Sequence, residues 1–294
     1  MVGDSQTFVN TEPGRQHTLA ASFSVEGYGV HTNRHCRVTV APAPAGTGVV
    51  FEVADRNGVV HTVPAALDSA SGRPHRRQTI LGDPAGVHVA TPEHLLSALR
   101  AMNVDNAFVR LSEPELPLLD GGSREFADRI AEVGVLAQDA QRQAVVITRP
   151  VSFVSGDDIA RFTAHPFEGL RVTCFVDFGD AVVGRMGASF EITPAVYRDE
   201  IAPARTIAFE REIEALRRSG LGLGGSLDSV VVIGERGYLN DRLHFADEVA
   251  RHKILDLIGD LALLGRPIQG HIIAERTGHA DNVRFAQYLK EMFE

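Results

Sequence analysis

The sequence is poor in cysteine and has no long hydrophobic run. Its 294 residues include only two cysteines, Cys36 and Cys174, which lie far apart and form no CxxC motif. This argues against a disulfide framework and predicts a protein of the reducing cytoplasm. No apolar stretch approaches the roughly 20 residues of a membrane-spanning helix, and residues 1–16 lack the apolar segment of a signal peptide. We therefore expect a disordered tail at 1–16 and no transmembrane segment.

The chain also lacks a cluster of positive charge. Lys and Arg number 29 against 38 Asp and Glu, which gives a formal net charge of −9 at pH 7. An acidic balance without a basic patch argues against a nucleic-acid partner. The HExxH motif of many metallopeptidases is absent as well. Apolar residues, in contrast, make up 44% of the chain, which is enough for a large core in one or two domains.

The stretch 248–265 predicts a helix with a polar stripe. Apolar residues repeat through it at helical spacing, Asp247 is in position to cap its start, and Gly265 follows its end. Four polar residues on one helix face break this pattern: Glu248, His252, Asp256 and Asp260. Burying unpaired carboxylates costs several kcal/mol, so this stripe is solvated, paired with cations or bound to a metal. Gly259 beside it leaves room for a backbone or a ligand to approach.

The remaining periodicity predicts an α+β protein in two halves. Strands precede a helix in each half, and the polar segment 138–143 is predicted to connect them. Residues 19–25 alternate as a strand, while Thr91 is predicted to cap a helix whose first position suits Pro92. In the second half, 207–218 predicts a helix, and the irregular stretch 179–203 is interpreted as an insert. The predicted division is a tail at 1–16, a domain at 17–140 and a domain at 144–294.

A glycine-rich stretch at 220–225 matches the GxGxxG pattern of dinucleotide-binding proteins. That fingerprint requires a strand before it and a helix after it. Here the predicted order is reversed, because a helix precedes the glycines and a strand at 229–233 follows them. We therefore reject a dinucleotide site.

Three residues are candidates for a metal site. His94, His252 and Asp256 offer two nitrogens and one oxygen, and a catalytic zinc typically has three protein ligands and one position for water. His252 and Asp256 lie four residues apart and can reach the same ion. Two alternatives remain open from spacing alone: His94 can be a core histidine, and the stripe can be a solvated helix face.

Other residues next to these candidates have the chemistry of an amide hydrolase. Glu93 adjoins a candidate ligand and is suited to act as a general base, and Lys253 can stabilise a developing oxyanion. Asp260 can orient His279 and keep it protonated as a general acid. Together these residues predict metal-assisted hydrolysis of an amide.

Several long stretches, in a fixed order, carry a resemblance to a known family. They are GYGVHT (27–32), APAPAGTGVVF (41–51), TPEHLLSAL (91–99), ELPLLDGGSREF (115–126), ARTIAF (204–209), GLGLGGSLDSVVV (220–232), FADEVARHKILDLIGDLALLG (245–265) and GHADN (278–282). Over about residues 17–292 the chain resembles the zinc-dependent UDP-3-O-acyl-N-acetylglucosamine deacetylases of lipid A biosynthesis. The resemblance implies two similar α/β sandwich domains that face each other with the active site between them.

The resemblance also implies a role for each matching residue. His94, His252 and Asp256 resemble the zinc ligands, with iron(II) as an alternative metal, and Glu93 resembles the general base. His279, supported by Asp260, would protonate the leaving amine. Thr206 and Lys253 would stabilise the oxyanion, and Asp177 and Phe178 match an Asp-Phe pair near the nucleotide. The insert at 179–203 would form a hydrophobic passage for the acyl chain, and the protein is expected to be a cytoplasmic monomer acting on a UDP-linked acylated amino sugar.

The chain departs from the family pattern at a few positions. Asn33-Arg34 replaces a small Ser/Thr-Gly pair, Ile207 stands where phenylalanine is frequent, and 76–78 (Arg-Arg-Gln) replaces a segment that often has a small residue. These changes leave the chemistry intact and leave acyl-chain length and substrate fit open. The alternatives are a deacetylase of another N-acyl amino-sugar nucleotide, a non-catalytic binding protein on the same scaffold, and a metallopeptidase, which the missing HExxH disfavours.

Overall fold

The computed structural model describes residues 14–55, 57–70, 77–156 and 159–293. Most of the predicted tail therefore lies outside the described residues. So does Arg76, one of the positions at which the sequence departs from the family pattern. The predicted end of the tail at residue 16 is wrong, because the first strand begins at Arg15. Thr18 and Leu19 of this strand pair with Leu136 and Val135. Regular structure therefore begins closer to the N-terminus than the polarity of the segment predicts.

The first half of the chain forms a five-stranded sheet with two helices. Its elements are β1 (Arg15–Leu19), β2 (Phe23–Tyr28), β3 (His35–Pro42), β4 (Val49–Ala54), β5 (Val60–Pro64), a 3₁₀ turn (Leu67–Ser69), β6 (Ile80–Gly82), β7 (His88–Ala90), α1 (Glu93–Ala101), β8 (Ala107–Leu111), α2 (Arg124–Val133) and β9 (Val135–Gln141). The sheet order is β2-β3-β8-β4-β5, with β4 and β8 parallel. Strands β1 and β9 form a separate antiparallel pair, as do β6 and β7.

Two predictions of strand boundaries in this half are wrong. Residues 19–25 are not one strand, because the chain leaves β1 at Leu19 and starts β2 at Phe23 with a new partner. The predicted connector at 138–143 is in its first part the end of β9. A two-stranded pair at the surface needs few apolar residues, so the polarity of β9 does not prevent strand formation.

The second half forms a larger sheet around β17. Its elements are β10 (Val145–Val146), β11 (Val151–Val154), β12 (Arg161–His165), β13 (Leu170–Asp177), β14 (Arg185–Glu191), α3 (Pro194–Val196), a π turn (Tyr197–Ile201), β15 (Thr206–Phe209), α4 (Glu210–Arg218), β16 (Val230–Ile233), α5 (Glu248–Leu261), a 3₁₀ turn (Ala262–Leu264), β17 (Ile268–Glu275) and α6 (His279–Phe293). The sheet order is β11-β12-β17-β13-β14, with β10 beside β17. The mixture of helices and sheets confirms the predicted α+β class, whereas the division into two domains stays a prediction.

Two elements of this half differ from prediction. The stretch 207–218 begins as β15, which pairs in parallel with β16, and becomes helical only at Glu210. Local helical periodicity missed the strand because β15 is defined by its partner. The stretch 179–203 contains β14, the edge strand beside β13, and is therefore part of the main sheet.

The glycine-rich stretch at 220–225 has a packing role. As predicted, it follows a helix, α4, and precedes a strand, β16. Gly224 N donates to the carbonyl oxygen of Val30 over 3.0 Å, and a Cβ added at Gly224 would lie 2.2 Å from the carbonyl oxygen of Gly29. The absence of a side chain thus lets this loop from the second half touch the GYGVHT turn of the first.

Helices α1 and α5 pack against each other in the interior. A Cβ added at Gly259 of α5 would lie 2.1 Å from the carbonyl oxygen of Glu93 in α1. The predicted room beside the polar stripe is thus filled by the backbone of α1. This contact places the first turn of α1 against the polar face of α5. Cys36 and Cys174 are both buried and free, and no helix in the described ranges is long and apolar enough to cross a membrane.

Candidate active site

The start of α1 and the polar stripe of α5 meet at a buried group of candidate ligands. His94, His252 and Asp256 are all buried, and one donor atom from each lies within 4.8 Å of the others. His252 Nε2 lies 3.2 Å from Asp256 Oδ1, and His94 Nε2 lies 3.9 Å from the same oxygen. The two imidazole rings are nearly perpendicular, with centroids 5.1 Å apart. The structure thus brings together the three residues that the sequence indicated.

Backbone carbonyls orient both histidines. His94 Nδ1 lies 2.9 Å from the carbonyl oxygen of Gly122, and His252 Nδ1 lies 3.0 Å from that of Ala204. A carbonyl oxygen only accepts hydrogen bonds, so Nδ1 carries a proton in each ring, and a ring without a second proton presents the lone pair of Nε2, the atom that faces Asp256. Such a hydrogen bond to the remote nitrogen is typical of metal-ligating histidines.

Asp256 divides its two oxygens between a cation and the histidines. Its Oδ2 accepts a hydrogen bond from Lys253 Nζ over 2.7 Å, while its Oδ1 is buried without a hydrogen-bond partner. Burial alone would raise the pKa of Asp256, but His252 and Lys253 outweigh it and hold that pKa well below its usual range. A buried, ionised and unpartnered oxygen that faces two imidazole lone pairs is suited to bind a cation.

An acid–base pair adjoins this group. Glu93 Oε1 lies 3.8 Å from His279 Nε2, and His279 Nδ1 lies 2.9 Å from Asp260 Oδ2. Burial raises the pKa of Glu93 to about 8. Burial lowers the pKa of His279, but the carboxylates of Asp260, Asp256 and Glu93 overcome that effect and raise it to about 9. At neutral pH His279 is therefore protonated and can donate a proton.

The comparisons with known proteins agree with this chemistry. A family model described as UDP-3-O-acyl N-acetylglycosamine deacetylase matches residues 16–291. A protein of Oleidesulfovibrio alaskensis named UDP-3-O-acyl-N-acetylglucosamine deacetylase is 40% identical over 94% of this chain and 89% of its own length. Proteins of the same name from Neisseria meningitidis serogroup C and Myxococcus xanthus are each 40% identical over 91% of this chain, and over 87% and 83% of their own lengths. This chain belongs to the UDP-3-O-acyl-N-acetylglucosamine deacetylase family.

The other residues expected from the deacetylase family differ in whether they contact this centre. Lys253 is in direct contact with Asp256. Thr206 is half-buried at the start of β15, and its N–H donates to the carbonyl oxygen of Gly121 over 2.8 Å, next to the carbonyl that orients His94. Thr206 therefore reaches the site region through its backbone.

Asp177 and Phe178 lie at the end of β13. Asp177 Oδ2 is 3.4 Å from both Arg185 Nε and Arg276 Nη2. The ring of Phe178 packs edge-on against Phe209, with centroids 5.4 Å apart. Among the contacts of the described residues, none joins this pair to the histidine–aspartate group, so a role in binding the nucleotide of a deacetylase substrate stays a prediction.

Neither residue predicted to cap a helix makes a side-chain capping bond, although Asp247 does occupy the N-cap position of α5. Thr91 has a positive φ of 58° and donates its hydroxyl to Gln78 Oε1 over 2.9 Å, so it does not cap α1. Asp247 makes no side-chain cap to α5, because its carboxylate accepts a hydrogen bond from Arg251 over 2.6 Å instead. Thr91 thus bonds to a residue outside its helix, and Asp247 to a residue one turn further along α5.

Sequence reasoning missed the groups that hold the acid–base pair. Thr79 N donates to Glu93 Oε2 over 3.3 Å, and its hydroxyl donates to Asp260 Oδ1 over 2.5 Å. Asn282 Nδ2 donates to Asp260 Oδ2 over 2.8 Å. Asn282 lies one helical turn after His279, so spacing could have indicated it, whereas Thr79 is distant in sequence from Asp260 and gave no such signal.

Proposed function

We propose that this chain is a metal-dependent amidohydrolase that removes acetate from the 2-acetamido group of UDP-3-O-acyl-N-acetylglucosamine, the committed step of lipid A biosynthesis. The observation that carries the proposal is the buried group of His94, His252 and Asp256 with Glu93 and His279 beside it. Relatives named for this deacetylation match over nearly the entire chain, which supports the choice of substrate.

We propose zinc as the metal, with iron(II) as the alternative. Two imidazoles and one carboxylate suit a catalytic zinc site, and imidazole ligands also suit iron. The donors fit this group, since Nε2 of each histidine is available and Asp256 Oδ1 has no hydrogen-bond partner. A zinc ion bound there would polarise the amide carbonyl and lower the pKa of water at the site.

The residues around the ligands supply the proton transfers. Glu93 in its ionised form accepts a proton from the attacking water, and the burial that raises its pKa makes that form a stronger base than an exposed glutamate. His279, with a pKa raised to about 9, donates a proton to the leaving nitrogen. Asp260 holds the ring of His279 in place through Nδ1. Together these steps cleave the amide and release acetate and a free amine.

Charge that develops on the amide oxygen needs stabilisation. Lys253, buried beside Asp256, keeps its charge because that carboxylate raises its pKa against the effect of burial. We propose that Lys253, together with Thr206, stabilises the oxyanion. A preorganised cation in a site shielded from water is worth more than the same cation in solvent.

We propose that Asp177 and Phe178 contact the nucleotide and that 179–203 contacts the acyl chain. The exposed ring of Phe178 supports stacking on a base. Val183 is buried, while Val182, Met186 and Phe190 are partly buried against the core. These side chains offer an apolar surface to a lipid chain. We further propose that the protein acts in the cytoplasm as a monomer, which light scattering of the purified protein tests.

The decisive experiment measures acetate release from UDP-3-O-acyl-N-acetylglucosamine by protein of known metal content, with and without a chelator. We expect turnover that the chelator abolishes and that zinc restores, with one metal ion per chain. Non-acylated UDP-N-acetylglucosamine serves as the matched substrate and is expected to react far more slowly. Metal-loaded protein that releases no acetate from the acylated substrate would overturn the proposed substrate.

A further inference from the structure

A buried ion pair between Arg205 and Glu248 lies beside the residues proposed for catalysis and has no part in the steps above. The two side chains are 5% and 0% exposed. Arg205 Nε donates to Glu248 Oε1 over 2.8 Å, and Nη2 donates to Oε2 over 3.2 Å. Replacing a buried ion pair by apolar residues is often neutral or stabilising. Stability alone therefore does not explain why this pair is present.

Both partners adjoin groups that hold the candidate ligands. Arg205 follows Ala204, whose carbonyl oxygen lies 3.0 Å from His252 Nδ1, and precedes Thr206. Glu248 lies in α5, four residues and thus about one turn before His252. The ion pair therefore joins the helix that carries His252 to the segment that orients His252.

The hydrogen bonds of the pair fix the backbone of that segment. Arg205 N–H donates to Glu248 Oε1 over 3.0 Å. The guanidinium also donates to the carbonyl oxygens of Arg242, over 2.9 Å, and Leu227, over 3.3 Å. Glu248 Oε2 accepts a further hydrogen bond from His244 N–H over 2.7 Å. Only a planar group with several donors can serve one carboxylate and two carbonyls at the same time.

The same segment also contacts the turn that orients His94. Ser123 N–H donates to the carbonyl oxygen of Ala202 over 2.8 Å, and Thr206 N–H donates to that of Gly121 over 2.8 Å. A Cβ added at Gly122 would lie 2.3 Å from the carbonyl oxygen of Ala202, so the two backbones touch. The carbonyl of Gly122 orients His94, and that of Ala204 orients His252. Both histidines therefore depend on the backbone contact between 121–123 and 202–206.

We propose that Arg205 and Glu248 are positioning residues for the metal site: their ion pair holds the carbonyl of Ala204 against His252 Nδ1 and thereby fixes the tautomer and the direction of the Nε2 lone pair. The inference rests on the proposed function, because it assumes that a metal binds His94, His252 and Asp256. Loss of such an outer hydrogen-bonding partner typically weakens metal binding or activity about 10- to 100-fold.

The test measures the zinc dissociation constant of Arg205→Lys by competition with a chromophoric chelator. Arg100→Lys is the matched control, because Arg100 also forms a buried pair, with Asp105, in which the side chains are 10% and 8% exposed. We expect zinc affinity to fall at least about tenfold in Arg205→Lys and to remain at the wild-type value in Arg100→Lys. The absorption spectrum of the cobalt(II)-substituted protein should change in Arg205→Lys alone, because it reports the geometry of the ligands.

A second variant of the ion pair keeps the test informative if Arg205→Lys does not fold. Glu248→Gln keeps the size of the side chain, and we expect it to weaken zinc binding in the same direction. If Arg205→Lys and Glu248→Gln both fold and bind zinc with wild-type affinity and an unchanged cobalt spectrum, the positioning role is wrong. Wild-type protein that binds no metal would instead contradict the proposed function, and this inference would fall with it.

Discussion

Glu93 lies in the first turn of α1, next to His94 and outside the group of candidate ligands. We predict that Glu93→Gln keeps its metal and loses turnover by about 10²–10⁴-fold, the usual contribution of a general base. Glutamine has the same shape and can still accept the hydrogen bond from Thr79 N–H. Metal analysis and kcat, measured on the same sample, check this. A Glu93→Gln protein with the wild-type kcat would exclude Glu93 as the base.

The raised pKa of His279 predicts an alkaline limit to activity. A general acid must be protonated, and the pKa of His279 is raised to about 9, so the protonated form of His279, and the activity that depends on it, is lost as pH rises through that value. Asp260 is the carboxylate that raises this pKa most, so we predict that Asp260→Asn moves the alkaline limb of kcat/KM to lower pH. The pH profile of kcat/KM for both proteins checks this. An unchanged limb would show that another group sets it.

Individual site residues were predictable to different degrees. His252 and Asp256 lie one helical turn apart, so helical geometry alone predicts that they face the same ion. The carbonyls of Gly122 and Ala204 gave no signal, because any residue has a carbonyl and only the folded chain shows which one meets a histidine. The capping bonds expected from Thr91 and Asp247 are absent for a related reason, because each side chain makes its hydrogen bond to another side chain.

Helices α1 and α5 depend on Gly259 for their close packing. Alanine favours a helix over glycine by about 1 kcal/mol, but its Cβ would lie 2.1 Å from the carbonyl oxygen of Glu93. Overpacking of this kind costs typically 1–3 kcal/mol, so we expect the clash to outweigh the helix propensity. Gly259→Ala should lower both the free energy of unfolding and kcat, because it displaces the turn that carries Glu93 and His94. Chemical denaturation and acetate release measure the two effects.

A control for this substitution is available at Gly237. A Cβ added there meets no atom within 4 Å. Gly237→Ala should therefore leave stability and turnover near the wild-type values. A Gly259→Ala protein that behaves like Gly237→Ala would mean that the two helices can separate without affecting the site.

Elements defined by long-range pairing were the ones that sequence periodicity missed. Helix α5 was predicted with nearly its observed bounds, since its apolar spacing and Gly265 are local signals. Strand β15 was read as helix, because its strand state depends on β16, which follows more than 20 residues later. Strands β9 and β14 were read as a connector and an insert for the same reason.

The proposed metal site joins the two halves of the chain. His94 comes from α1 in the first half, while His252 and Asp256 come from α5 in the second. An ion bound by all three stabilises only the state in which α1 and α5 are packed together. Because binding to the folded state alone adds RT ln(1 + [L]/Kd), zinc at a thousand times its Kd would contribute about 4 kcal/mol.

We therefore predict that removing the metal lowers the melting temperature of the entire chain and that zinc restores it. Calorimetry of the chelator-treated and the zinc-reloaded protein measures the shift. Asp256→Asn is the matched control, because the amide keeps the size of the side chain and lacks the charge that binds a cation. Its melting temperature should not respond to zinc. If chelator-treated and zinc-loaded wild-type protein melt at the same temperature, the three residues do not bind zinc as a bridge between the halves.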